Sequence, residues 1–143
     1  MRQFGEQIDG WIYAERPGAY AIIREPVGPR LLIVETPFGL YLPGGGLEPD
    51  EAIEACLRRE VLEETGYDIA VGQEIARAAQ YRISNRKSAA FNKLCQFFLA
   101  EIRGDPMQPS EADHVTLWLE PEEARERLRE EASRWAIVQA LAF

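Results

Sequence analysis

Three glutamates, Glu60, Glu63 and Glu64, cluster in one stretch of strong helix formers. At about 100° per residue, a helix through them puts Glu60 and Glu64 together on one flank. Like charges at that spacing destabilise a helix by a few tenths of a kcal/mol, and its C-terminal end disfavours negative charge further. A hard divalent cation removes the conflict, because Mg2+ takes oxygen ligands in near-octahedral geometry. A solvated acidic face is the ordinary alternative for such a cluster. Two neighbouring features weigh against it. Arg59 precedes Glu63 by one helical turn, the spacing of an ion pair. Upstream, Pro43-Gly44-Gly45-Gly46 lets the backbone approach a ligand closely and can add a carbonyl oxygen.

These residues need a scaffold, and its elements can be read from the pattern. A helix is predicted over 49–64, with Pro49 at the first helical position, Asp50 and Glu51 in the first turn and Gly66 as the stop. Ala52, Ala55, Cys56 and Leu62 fall on one stripe expected to face the core, and Arg59 and Glu63 fall within it as a partly buried pair. Strands are expected at 19–24, 31–34, 67–71, 74–81, 94–102 and 114–119. Leu31-Leu32-Ile33-Val34 is apolar throughout, so both faces of its sheet should be covered. Pro121 opens a second helix to about Glu131, and Ser133 caps a third from Arg134 to Ala142. The pattern predicts an α/β fold with a mixed sheet between helices.

The chain has 143 residues and a formal charge of -8, 46% of it is apolar and 28% charged, and it is expected to be a single domain spanning 1–143. No apolar run approaches the roughly 20 residues a membrane span needs. The N-terminus lacks the apolar stretch of a secretory signal, so a cytoplasmic protein is expected. Cys56 and Cys95 lack metal-site spacing and read as reduced core residues. So acidic a surface disfavours a stable nucleic-acid partner. Between Glu74 and Glu101 there is no acid, yet Arg77, Arg82, Arg86, Lys87 and Lys93 occur there. Arg82, Arg86, Lys87 and Lys93 are candidates for holding an anionic substrate, with a solvated hairpin as the plainer reading. His114, the sole histidine, reads as structural. Tyr81, Phe91 and Trp118 could stack on a base but read as core, and Glu122 to Glu131 reads as a salt-bridged exposed face.

From Gly45 to Tyr67 the chain resembles the Nudix box: Gly, five residues, Glu, seven residues, then Arg-Glu-aliphatic-x-Glu-Glu-x-Gly-aliphatic. Gly45, Glu51, Arg59, Glu60, Glu63, Glu64 and Gly66 all match, and Tyr67 replaces the final aliphatic residue. The resemblance implies an α/β/α sandwich that hydrolyses a nucleoside diphosphate linked to another group. It implies Mg2+ as the cofactor, with Mn2+ a substitute. Glu60 and Glu64 would be the core metal ligands, Glu63 a third ligand or the general base, and the Gly44 carbonyl a further ligand. Glu51 and Arg59 would orient the loop and carboxylates. Glu111, before Trp118, is the candidate for an additional acid beyond the box, and Asp113 would serve as well. The proton of the attacking water would pass to Glu63 or Glu111.

Nucleoside triphosphates and dinucleoside polyphosphates are the expected substrates. Glu35-Thr36, where relatives that cleanse oxidised guanine nucleotides carry a basic residue, weighs against that role. A homodimer is common among similar proteins. The rival reading is a Nudix-like module that binds or senses a nucleotide without cleaving it. Such modules commonly lose box carboxylates, and this chain retains all of them.

Overall fold

The computed structural model describes residues 1–143. Eight strands form two sheets, and three helices cover them. The larger sheet is mixed. It runs β1 (Arg2–Phe4), β6 (Asp68–Ile83), β7 (Ala90–Arg103), β2 (Tyr13–Ile23) and β5 (Gly44–Gly46). The smaller, antiparallel sheet runs β4 (Gly39–Tyr41), β3 (Leu31–Thr36) and β8 (Val115–Leu119). The helices are α1 (Ile53–Thr65), α2 (Pro121–Arg127) and α3 (Glu131–Ala140). None is long and apolar enough to cross a membrane.

Two hydrophobic clusters, one on each side of the sheets, account for the layering. Alternate residues of a strand point to opposite faces. In β2, Ala19, Ala21 and Ile23 meet Cys56, Leu57 and Val61 of α1. Tyr20 and Ile22 join Ala132, Ala136 and Ile137 of α3 on the other side. The same division holds in β3, where Leu32 faces the α1 layer and Leu31 and Ile33 the other. The apolar run is therefore covered on both faces, as its composition predicts. Both cysteines are free and buried.

Several boundaries differ from the sequence expectation. The first helix begins at Ile53, because residues 48–51 wind into a turn with Asp50 at φ +62°. In that turn the Glu51 carboxylate accepts from the Glu48 N–H at 3.0 Å, and the Glu51 N–H donates to the Glu48 carbonyl at 3.1 Å. The buried stripe is Cys56, Leu57, Val61 and Thr65, whereas Ala52 and Ala55 are exposed and Leu62 is half-buried. The segments expected at 67–71 and 74–81 are one strand, β6, interrupted by register shifts against β7 between Val71 and Ala76. Ser133 lies inside α3, and Glu130 precedes it as the flanking residue. Gly66 does stop α1, in the left-handed conformation at φ +77°. A methyl group there would collide with the Met107 carbonyl.

Phe97 of β7 is fully buried, with its ring 5.9 Å from that of Tyr20. Truncating such a side chain removes its burial and leaves a cavity, so Phe97→Ala should cost about 3–5 kcal/mol. Urea unfolding monitored by circular dichroism would measure it, and a loss below about 1 kcal/mol would contradict this packing.

Candidate active site

The box carboxylates stand where α1 packs against the glycine strand β5. Successive glycines let the strand lie directly against the acids. A methyl at Gly45 would come within 2.5 Å of the Glu60 carboxyl carbon, so a side chain there would push the carboxyl aside. The Gly44 N–H donates to Glu64 Oε1 at 2.8 Å, and Gly44 itself sits at φ +142°. Glu64 is 12% exposed and Glu60 19%, whereas Glu63 is 38% exposed.

Arg59 binds the group together. Its Nε and Nη2 donate to both oxygens of Glu51 at 2.7 and 2.9 Å. Its Nη1 donates to Glu60 Oε1 at 3.0 Å and reaches Glu63 Oε2 at a longer 3.4 Å. The helical spacing suggested Glu63 as the partner. The shorter contacts go instead to Glu51 and Glu60, because the turn at 48–51 carries Glu51 back over the helix. Nη2 also donates to the Gly46 carbonyl at 3.3 Å, tying helix to strand.

The acids differ in electrostatic state according to the balance between burial and the hydrogen bonds they accept. Hydrogen bonds from Arg59, with help from the Glu48 N–H, hold Glu51 down at about 2. Burial pushes Glu60 up, partly opposed by Arg59. Burial pushes Glu64 further, to about 8, with the Gly44 N–H opposing and the neighbouring acids Glu60, Glu111 and Glu63 adding to the rise.

A loop after β7 closes the site. The Ser110 and Glu111 N–H groups donate to the Glu63 carbonyl at 3.0 and 3.2 Å, and the Met107 N–H donates to the Gly66 carbonyl at 2.7 Å. These bonds satisfy carbonyls at the end of α1 that would otherwise lack partners. They also bring Glu111, Asp113 and His114 together, with ligand atoms within 4.8 Å of one another. His114 reads from sequence as structural, yet its Nδ1 lies 3.6 Å from Glu64 Oε2 and is buried without a hydrogen-bond partner. The tight spacing Glu111-x-Asp113-His114 is the one signal in the sequence that joins it to the acids.

Among the candidate cations, Arg82 and Lys93 line a pocket beside β5, whereas Arg86 and Lys87 are exposed at the β6–β7 hairpin. Arg77 pairs with Glu74 at 2.9 Å on the surface. Tyr81 packs edge-on against Tyr13, and Trp118 against Tyr67.

The NUDIX domain model matches residues 14–141. The chain belongs to the NUDIX family. It resembles a Nudix hydrolase from Nitrosomonas europaea at 25% identity and TM-score 0.71, over 90% of this chain and 89% of that one. A MutT protein from Methanosarcina mazei Go1, 20% identical, shares the fold at TM-score 0.69 over 89% of this chain and 93% of that one. A Bacillus subtilis protein provisionally named an 8-oxo-dGTP diphosphatase is 39% identical over 59 residues. That stretch spans 41% of this chain and 40% of the relative.

The buried Glu64 supplies a pH test on metal-free protein. Its raised pKa means that the folded state binds a proton the unfolded chain has lost, so its stability contribution is present at low pH and disappears as pH rises through about 8. In EDTA, the melting temperature of wild type should therefore fall more steeply between about pH 5 and 9 than that of Glu64→Gln. Equal slopes would contradict the burial of this carboxyl.

Proposed function

We propose that the chain is a magnesium-dependent pyrophosphohydrolase that cleaves a phosphoanhydride bond in a nucleoside diphosphate linked to another group. The observation that carries this reading is the arrangement around Glu64. A buried carboxyl, held by the Gly44 N–H, faces the buried and unpartnered Nδ1 of His114, with Glu60 and Glu111 raising its pKa further. Without a cation this group is costly, and its oxygen-rich donors suit a hard divalent ion.

Glu60, Glu63, Glu64 and the Gly44 carbonyl would hold Mg2+, with Mn2+ as a substitute. Bound there, the ion would neutralise the diphosphate and acidify a water. Arg59 positions Glu60, and its bond to the Gly46 carbonyl keeps α1 in register with β5. Glu63 and Glu111 are the candidates for taking the proton from the attacking water. The backbone bonds from 110–111 to Glu63 hold the two at the same end of α1. Arg82 and Lys93 would hold the far part of the substrate. Arg86 and Lys87, exposed at the hairpin, would reach only a group projecting beyond the pocket.

Nucleoside triphosphates and dinucleoside polyphosphates are the leading substrates. The similarity to a protein named for 8-oxo-dGTP supports testing oxidised triphosphates as well. Against the alternative of a sensing module stands the retention of every box carboxylate and of Arg59.

The test is phosphate or pyrophosphate release from a nucleotide panel with and without Mg2+. Glu60→Gln should lower turnover at least about 100-fold, the upper end of what losing an outer partner costs a metal site, without loss of melting temperature. Gly45→Ala, whose methyl would displace the Glu60 carboxyl, should lower it too. Near-normal turnover in Glu60→Gln would overturn the assignment. Tight nucleotide binding with no turnover in wild type would favour the sensing module.

A further inference from the structure

The two faces of β5 are electrically opposite. Gly45 faces Glu60, but the next residue faces the other way, and a methyl at Gly46 would meet Arg16 Nε at 3.4 Å. On that side lies a pocket of about 260 Å3 lined by Arg16, Tyr20, Arg82, Asn85, Phe91 and Lys93. Three of these are cations. Lys93 Nζ donates to both oxygens of Glu130 at 2.7 and 2.9 Å, and Arg82 Nη1 donates to the same carboxylate at 3.0 Å. Arg16 makes no ion pair. Its guanidinium lies 4.8 Å from the centre of the Phe91 ring.

The pairing of the strands makes this an unusual concentration of charge. Arg16 of β2 and Lys93 of β7 are direct register partners, and like charges side by side on neighbouring strands repel. One buried carboxylate cannot offset three cations. Arg129 adds a fourth at the margin, since its Nη1 shares the Tyr41 hydroxyl and Asn85 Oδ1 with Arg82. Lys93 has three N–H donors, of which Glu130 takes two. In a chain of formal charge -8, such a site must act locally, since the overall field repels anions. A neutral base could lie against Phe91, but it would leave Arg16 without a counter-charge.

We propose that this pocket receives a second anionic group of the substrate, a phosphate or carboxylate remote from the anhydride that is cleaved. The inference rests on reading the chain as a hydrolase of nucleoside diphosphate derivatives, and it narrows the substrate to one bearing a negative charge beyond its diphosphate. Glu130 holds Arg82 and Lys93 in place, and Arg16, free of any acid, supplies the unmatched charge.

Three matched pairs test it, each differing by one remote anion: NADPH and NADH, coenzyme A and its dephospho form, and UDP-glucuronate and UDP-glucose. Calorimetric titration in EDTA separates this pocket from the metal site. In at least one pair the anionic member should bind about tenfold more tightly, a difference of about 1.4 kcal/mol. That preference should collapse toward unity in Arg16→Ala, an exposed position whose loss leaves the core intact, and persist in Glu60→Gln. Equal affinities within all three pairs, or no binding of any member, would overturn the proposal while leaving metal-dependent turnover to be judged separately. A preference that survives in a protein with no turnover would retain the pocket and remove the hydrolase reading.

Discussion

The site depends on where one guanidinium can reach. Arg59 grips both oxygens of Glu51, touches Glu60 and Glu63, and donates to the Gly46 carbonyl. A bidentate arginine–carboxylate pair is both strong and directional, so it fixes the turn before α1 as well as the strand beside it. The later start of the helix follows from it, since Glu51 could not fold back onto Arg59 from inside a first helical turn. The clamp does not titrate near neutral pH, because Glu51 is held at about 2. Glu64 lies beyond its reach, and burial drives it the other way, to about 8. The acids thus sort into Glu51, which Arg59 stabilises in its charged form, and Glu60 and Glu64, which burial drives up.

The glycines make that sorting possible. A side chain on Gly45 would occupy the volume of the Glu60 carboxyl, and one on Gly44 would strike the Ala19 carbonyl and Tyr20. With three glycines, β5 pairs with Gly18, Ala19 and Tyr20 of β2 and still lets α1 approach. The small residues Ala19 and Ala21 face the same helix, so the close approach continues into the core. The box acids are therefore backed by tightly packed backbone, which limits how far they can relax away from one another.

Local chemistry explains what the sequence made legible. Gly66 as the helix stop, Leu31 to Val34 as a doubly covered strand, and the convergence of Glu60 and Glu64 all follow from spacing within a short window. Features built by long-range pairing did not show. β1 is three residues long and forms a parallel ladder with β6, so no nearby pattern marks it. The buried stripe of α1 departs from the expected one because apolar residues lie on more than one side of the helix, and packing of Leu57 and Val61 against β2 and β3 sets the phase. The surface pairs Glu122–Arg125 and Glu123–Arg127 match an exposed face. Glu130 instead is buried between Arg82 and Lys93, partners that only the fold brings to it.

Arg16 shows the same limit from the other direction. Nothing around it in the sequence distinguishes it from a solvated arginine, and its meaning comes from lying beside Lys93 in register and against Gly46 across the strand. Once it is placed, the two faces of β5 form a complementary pair. One face carries a cluster of carboxylates, and the other carries cations that outnumber their acidic partner. A neutral ligand satisfies neither, and a lone metal ion satisfies only the first. On the proposed reading, a metal-bound diphosphate whose remote end carries its own negative charge would answer both, and the pocket beside β5 and the acids behind it would be two halves of one recognition surface.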